Sequence, residues 1–352
     1  MKNTIAVIGK SGTGKTRKVL FNEVETEIKG NNNLLIVDDE LDYYNHFKKE
    51  LEKNKYEIKV INFEEPTKSD GFDPLVYIKG LYNEGKVDKA VEQAKYLAYD
   101  FIDRPDGVDP FWSSMASDYF AGVALTTLKT NSKNVGFCSI LNVVLQGEEK
   151  YKDSTYMETY VNTLKHTDPE YILLSGTILS PLETRASILS VLKQNINPYF
   201  TRGELVKSFN NHTFEVEELK KDKKCAIFVK GYNKINRLTN VVINQVFDMV
   251  KSNNIQMTFI LDNFDELSKL ANIREMINTA NNGKYHMRLL MTCKDKEYLD
   301  NEYKSFTFNN VEEVIELTDK YEVEVNDKEE DLPELGNKEI DYIDFKDIVK
   351  NL

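Results

Sequence analysis

The eight residues Gly9-Lys10-Ser11-Gly12-Thr13-Gly14-Lys15-Thr16 constrain this chain more than anything else in it. They satisfy G-x-x-x-x-G-K-[ST] and follow Thr4–Ile8, a short apolar, β-branched run that stops at Gly9 as a buried strand stops before a tight turn. A helix is predicted to start near Gly14. Strand, glycine loop and helix together make an anion cradle: glycines let the backbone curl until several N–H groups point inward, and the helix adds its positive dipole end. The loop predicts a bound nucleoside triphosphate, ATP, with Lys15 bridging the β- and γ-phosphates and Thr16 placing its hydroxyl on Mg²⁺.

Leu34–Val37 repeats the buried-strand pattern and ends in Asp38, Asp39 and Glu40, and Glu57–Phe63 alternates as EIKVINF before Pro66. Three strands separated by helical stretches predict a parallel sheet with right-handed crossovers. From about Tyr77 to Asn197 strand signals largely vanish, while Val87–Phe101, Phe111–Leu128 and Leu182–Gln194 carry apolar residues at helical spacing. Strand-like runs return at Cys225–Val229, Met257–Leu261, Arg288–Thr292 and Phe306–Phe308. The expected organisation is a discontinuous nucleotide-binding domain (1–76 and 200–318), a helical lobe (77–199), and an acidic tail (319–352) whose Ile343, Phe345 and Ile348 could dock.

The magnesium ion needs an acid at the end of a neighbouring strand, and Met257–Asp262 has that shape. Asp262 is the choice, with Asp38 and Asp39 as competitors. Hydrolysis further needs a carboxylate that polarises water, commonly the residue after that Asp. Here it is Asn263, whose amide orients water by hydrogen bonding and cannot take a proton at neutral pH. Asp265 and Glu266 could substitute if the chain turns back, or be the acidic first turn of a helix.

A net charge of −12 argues against a surface that attracts nucleic acid everywhere, though not against a local basic groove. The densest basic runs are Lys220–Lys224, broken by Asp222, and Lys294 with Lys296, broken by Asp295. Three cysteines without CxxC spacing favour neither disulfides nor zinc, so a reduced cytoplasm is expected, and the four histidines show no metal or triad spacing. No apolar run reaches the roughly 18 residues of a membrane span and no room is left for a signal peptide, so membrane association is expected only through partners.

These motifs resemble the coupling-protein ATPases of type IV secretion and conjugation, the TraG-like branch related to the FtsK and HerA DNA motors. Asn3–Thr16 resembles that family's Walker A entry, and Phe72-Asp73-Pro74-Leu75 its Asn-Pro motif with Asp for Asn. Asp109-Pro110-Phe111-Trp112 resembles the opening of its helical lobe, Trp112 reading as a core anchor, and Thr184–Leu189 the helix returning to the sheet. Leu261-Asp262-Asn263-Phe264 matches its Leu-Asp-Glu-Phe Walker B segment at three of four positions. The resemblance spans about residues 3–317. It implies an α/β, RecA-like P-loop NTPase with a mostly parallel sheet and an inserted all-α lobe. It also implies a homo-oligomer, usually hexameric, that recruits DNA and couples ATP turnover to transfer through a secretion channel. Departures are the absent membrane helices, Asn263, Thr292 at the sensor Gln position, Cys293 after it, and the Arg-rich stretch reduced to Ala280–Lys284.

Two functions follow as expectations. One is a cytoplasmic DNA-translocating ATPase with a protein partner in a transfer complex and Arg185, Arg237 or Arg274 reaching a neighbour's nucleotide. The other is a nucleotide-gated assembly or adaptor subunit with slow or no hydrolysis. Another P-loop machine, such as a packaging motor, fits the helical insertion less well.

Overall fold

Asn33–Val37 and Met257–Leu261 are buried at every position, which is the pattern of strands covered on both faces by helices. In the computed structural model, residues 2–318 are described apart from 106, 130–134, 211–212, 217–218, 221–222, 233–236, 298–302 and 304–309. The expected strand Phe306–Phe308, the tail 319–352 with its docking segment, and Lys221 and Asp222 of the basic run lie outside the described residues.

The chain begins with β1 (Thr4–Ile8), α1 (Phe21–Lys29), β2 (Asn33–Val37), α2 (Asp42–Lys53) and β3 (Glu57–Asn62). A helical stretch follows: α3 (Val76–Asn83), α4 (Val87–Phe101), α5 (Pro110–Leu128), α6 (Phe137–Gly147), the strands β4 (Lys150–Tyr151) and β5 (Ser154–Thr155), α7 (Tyr156–Thr163), α8 (Pro169–Ile178), α9 (Leu182–Phe200) and α10 (Gly203–Asn210). The chain then forms β6 (Cys225–Lys230), α11 (Arg237–Asn253), β7 (Met257–Leu261), α12 (Ile273–Asn281), β8 (Arg288–Cys293) and β9 (Glu313–Glu316). Two compact units result, one built from the chain up to Asp70 with the described residues from Val216 on, the other from Gly71–Glu215.

The first unit holds a seven-stranded sheet ordered β3-β6-β2-β7-β8-β1-β9, in which every neighbouring pair is parallel. Its core on one face joins Val7, Leu20, Val24, Ile36, Phe47, Phe228 and Ile260. β9 pairs with β1 from Ile5↔Glu313 to Ile8↔Glu316 and is mostly exposed, so its EVIE sequence lacks the apolar continuity by which the other strands were recognised.

In the second unit α5 is the central helix, buried at almost every position from Ala116 to Leu128 and packed by α4, α6, α8 and α9. Its start is set locally: Asp109 Oδ1 accepts the Phe111 N–H at 2.9 Å, and Pro110 occupies the first helical position, where no N–H is needed. Trp112, expected as a core anchor, is instead only partly covered and meets Phe111 edge-on at 5.1 Å. The short antiparallel pair β4–β5 is an addition to the all-α expectation; at two residues per strand it carries no apolar run to betray it.

Candidate functional site

The loop after β1 turns because Gly12 and Gly14 both adopt left-handed backbone, φ 81° and 87°, a conformation that favours glycine. Gly14 caps a helix that begins at Lys15, as expected, but with a widened π-type turn over Lys15–Leu20 before α1 proper. Gly9 N–H donates to Cys293 O at 3.1 Å, tying the loop to β8, and Thr13 Oγ1 donates to Lys10 O at 2.8 Å. Lys10, Ser11 and Gly12 are exposed, whereas Thr13 and Lys15 are buried. The Lys15 ammonium donates to the carbonyls of Gly9 at 2.6 Å and Lys10 at 3.3 Å, so the one buried cation of the loop stands inside its curl.

Asp262, at the end of β7, meets this loop. Thr16 Oγ1 donates to Asp262 Oδ2 at 2.8 Å across 246 residues of sequence. The expectation of an acid on a neighbouring strand needs correction, because β8 stands between β7 and β1. That intervening strand supplies Thr292, whose hydroxyl donates to Asp262 Oδ1, and Asn263 N–H reaches Asp262 Oδ1 at 3.1 Å and Thr292 Oγ1 at 2.8 Å. Asn263 takes left-handed backbone, φ 50°, which turns the chain sharply after the acid.

A fourth donor was not found in the sequence. Tyr43 Oη, from the first turn of α2, donates to Asp262 Oδ2 at 2.9 Å, and burial raises this phenol well above its ordinary range. Nothing in the local pattern around Tyr43 separates it from an ordinary core tyrosine on an amphipathic helix. The carboxylate of Asp262 is thereby held on both oxygens by two donors each, which fixes its plane.

The competing acids sit in different settings. Asp38 is buried, accepts Tyr44 N–H at 2.9 Å, and burial pushes its carboxyl up to about 7. Asp39 is partly exposed and its carboxyl is raised, first by burial and then by the charges of Glu266, Asp262 and Glu40 against a bond from Gly231 N–H. Asp265 and Glu266 lie in a short turn, Phe264–Glu266, beside the start of the β8 exit. Asp265 Oδ2 accepts Lys294 N–H at 3.1 Å, and Glu266 Oε1 pairs with the Lys294 ammonium. The Lys294 charge of the second basic run is therefore engaged.

The arginines considered as fingers have local partners where the contacts are described. Arg185 in α9 is buried and reaches Thr155 Oγ1 at 2.9 Å and Glu158 at 3.4 Å, and Arg274 donates to Tyr303 O at 3.2 Å. Arg237 opens α11. Among the described residues no group of three or more His, Cys, Asp or Glu side chains could hold a metal ion, and no helix is long and apolar enough to cross a membrane.

The donor set fits a triphosphate and a hard cation. A hydroxyl and a carboxylate 2.8 Å apart offer the oxygen ligands that Mg²⁺ takes, and a cation lies within a loop whose glycines leave its backbone exposed.

The profile of the family described as "Type IV secretory system Conjugative DNA transfer" matches residues 2–316. No curated protein matches the chain in sequence. Among solved structures, the bacterial conjugative coupling protein TrwBdeltaN70, in a trigonal form with sulphate, is similar with a TM-score of 0.56 at 15% identity, covering 90% of this chain and 70% of its own. The plasmid coupling protein TrwB in complex with ADP and Mg²⁺ gives 0.54 at 15% identity, covering 88% of this chain and 68% of its own. The same protein with a non-hydrolysable ATP analogue, ADPNP, gives 0.55 at 15%, covering 88% and 67%. At that identity the likeness is one of fold.

Proposed function

We propose, from the premise that this chain belongs to the family of type IV secretory system conjugative DNA transfer proteins, that it is a nucleotide-driven coupling ATPase acting on DNA. The observation that carries the proposal is the junction of Thr16 and Asp262, made at 2.8 Å between the first helical turn after the β1 loop and the end of the non-adjacent strand β7, beside the buried Lys15. In this reading the backbone of Gly9–Gly14 and the Lys15 ammonium hold the triphosphate, and Thr16 and Asp262 hold Mg²⁺. Thr292 orients Asp262, and Asn263 sets the turn beside it. Bound magnesium supplies charge neutralisation at the phosphate oxygens. The chain's own residues bind and orient the triphosphate.

The sheet unit carries nucleotide handling and the helical unit contacts substrate or partner. Function as a ring, with nucleotides at subunit interfaces, belongs to the same reading, as do a protein partner in the transfer complex and placement at the inner face of a membrane through that partner. One observation favours the second reading, a nucleotide-gated assembly subunit: Asn263 stands where a base would, with an amide that cannot accept a proton.

The deciding experiment measures ATP binding and hydrolysis with and without DNA, with Lys15→Ala as the blank and oligomeric mass followed in the same samples. DNA-stimulated turnover of roughly 1 s⁻¹ or faster, lost in Lys15→Ala, is the expected result. ATP-dependent association with a protein partner without turnover would establish the gated subunit instead.

A further inference from the structure

We propose that Asp39 takes the proton of the attacking water during triphosphate hydrolysis, replacing the carboxylate that position 263 lacks. The inference rests on reading Gly9–Thr16 as a triphosphate site.

Its ground is the sheet register. β2 lies beside β7, and their last paired residues are Val37 and Leu261. Two residues beyond each strand stand Asp39 and Asn263, so both follow neighbouring strands at the same edge of the sheet. Asp39 lies in a turn closed by Leu41 N–H to Asp38 O at 3.2 Å, and that turn is anchored on three sides. Asp38 N–H donates to Val229 O at 2.9 Å, Asp38 Oδ2 accepts Tyr44 N–H at 2.9 Å, and Tyr43 Oη reaches Asp262 at 2.9 Å. The last of these ties the start of α2, just beyond that turn, to the end of β7. Asp39 itself receives Gly231 N–H, which orients the carboxylate without neutralising it.

The two nearer acids in sequence are otherwise occupied. Glu266 is paired with the Lys294 ammonium, and Asp265 has one oxygen on Lys294 N–H and the other buried without a hydrogen-bond partner. A carboxylate held by a cation is a weaker base. Asp39 is partly exposed, and no ion pair to it is found among the described residues. Burial, above all, raises its carboxyl from the usual range.

In the step, the water oxygen bonds to the γ-phosphorus as the bond from that phosphorus to the β–γ bridging oxygen breaks, its electron pair leaving on the diphosphate. One water proton passes to Asp39 and then to solvent; the other stays on the released phosphate.

The test uses the full chain, with and without DNA, and compares Asp39→Asn, Asp39→Glu, Glu266→Gln and Lys15→Ala. A fluorescent ATP analogue with Mg²⁺ reports binding, phosphate release reports turnover, and thermal unfolding of the nucleotide-free chain reports stability. Asp39→Asn is expected to bind within about threefold of the native chain and to lose roughly 100-fold or more in kcat, the loss typical of a missing general base. Its unfolding midpoint should not fall, because the change removes charge from an acidic cluster. Asp39→Glu should regain part of the turnover, and Glu266→Gln should keep it within about threefold. Asp39→Asn turnover near native, a loss shared equally by binding and kcat, or a native chain that binds ATP without hydrolysing it would each overturn the assignment while leaving the nucleotide site standing. A native chain that binds no better than Lys15→Ala would overturn the site reading, and the assignment with it.

Discussion

A carboxylate gripped by Thr16, Tyr43, Thr292 and a backbone N–H shows how residues of unremarkable type become a site when their orientations are set against one another. Thr16 and Asp262 could be picked out in the sequence because each follows a strand or a glycine loop in a fixed pattern, and Thr292 through the family resemblance, which puts it at the sensor Gln position. Tyr43 could not, since its partner lies 219 residues away and its helix pattern is ordinary. Asp73 gives a second residue-scale lesson. It is buried, accepts the N–H groups of Leu75 at 2.8 Å and Phe137 at 3.0 Å, and burial pushes its carboxyl from 3.8 up to about 7. Because the folded chain then holds a proton that the unfolded chain has released, Asp73 makes stability fall as pH rises from about 4 to about 7, with the full penalty present above 7. Asp73→Asn keeps the acceptor oxygen and removes the charge. Its unfolding free energy, from urea titration, should exceed the native value at pH 8 by on the order of 1–4 kcal/mol and approach it at pH 5. Asp38, raised to about 7 by the same cause, acts in the same direction, so some pH dependence survives in the variant. A variant weaker than native at pH 8 would show that the carboxylate charge is compensated in the fold.

At the scale of elements, α4, α5 and α9 were legible because apolar residues recur at three- and four-residue spacing over 15 to 19 residues. The helices α3, α7 and α10 are only eight residues long, too short for a period to emerge, and α6 is apolar on most of its surface. β9 escaped for the opposite reason, being an exposed edge strand. Packing between α5 and α8 depends on small residues that no period reveals. A Cβ on Gly122 would stand 2.7 Å from Leu174 Cγ and 3.1 Å from Leu173 Cβ, near the stems of two packed leucines that cannot swing away. On Gly176 it would meet Met115 Cε at 2.8 Å, the free end of a flexible side chain. Gly122→Ala should therefore cost about 1–3 kcal/mol and Gly176→Ala less than about 1 kcal/mol. The chain's single tryptophan, Trp112, sits in the first turn of α5 and reports both transitions by fluorescence in urea. Equal costs would mean that α5 and α8 can separate.

For the molecule as a whole, the helical unit enters the chain between β3 and β6, which are themselves paired neighbours in the sheet. Its own ends also meet: Gly71 N–H donates to Thr213 Oγ1 at 2.9 Å, and Gly71 O accepts from the N–H groups of Thr213 and Phe214, each at 3.1 Å. A unit that closes on itself and centres on a buried helix should fold alone. The fragment 71–215 is expected to show a helical circular dichroism spectrum and a cooperative thermal transition; a gradual, non-cooperative loss of signal would show that its core needs the sheet unit. Taken as a linear string, the chain settles the phosphate loop, the strands that feed it and the helical character of the middle third, because each is written in neighbouring residues. Only folding decides that β8 separates β7 from β1, that Tyr43 and Thr292 grip Asp262, and that Asp39 and Asn263 follow neighbouring strands. Those relations join residues dozens to hundreds of positions apart. They come from the order in which parallel strands pair, and no local pattern encodes that order.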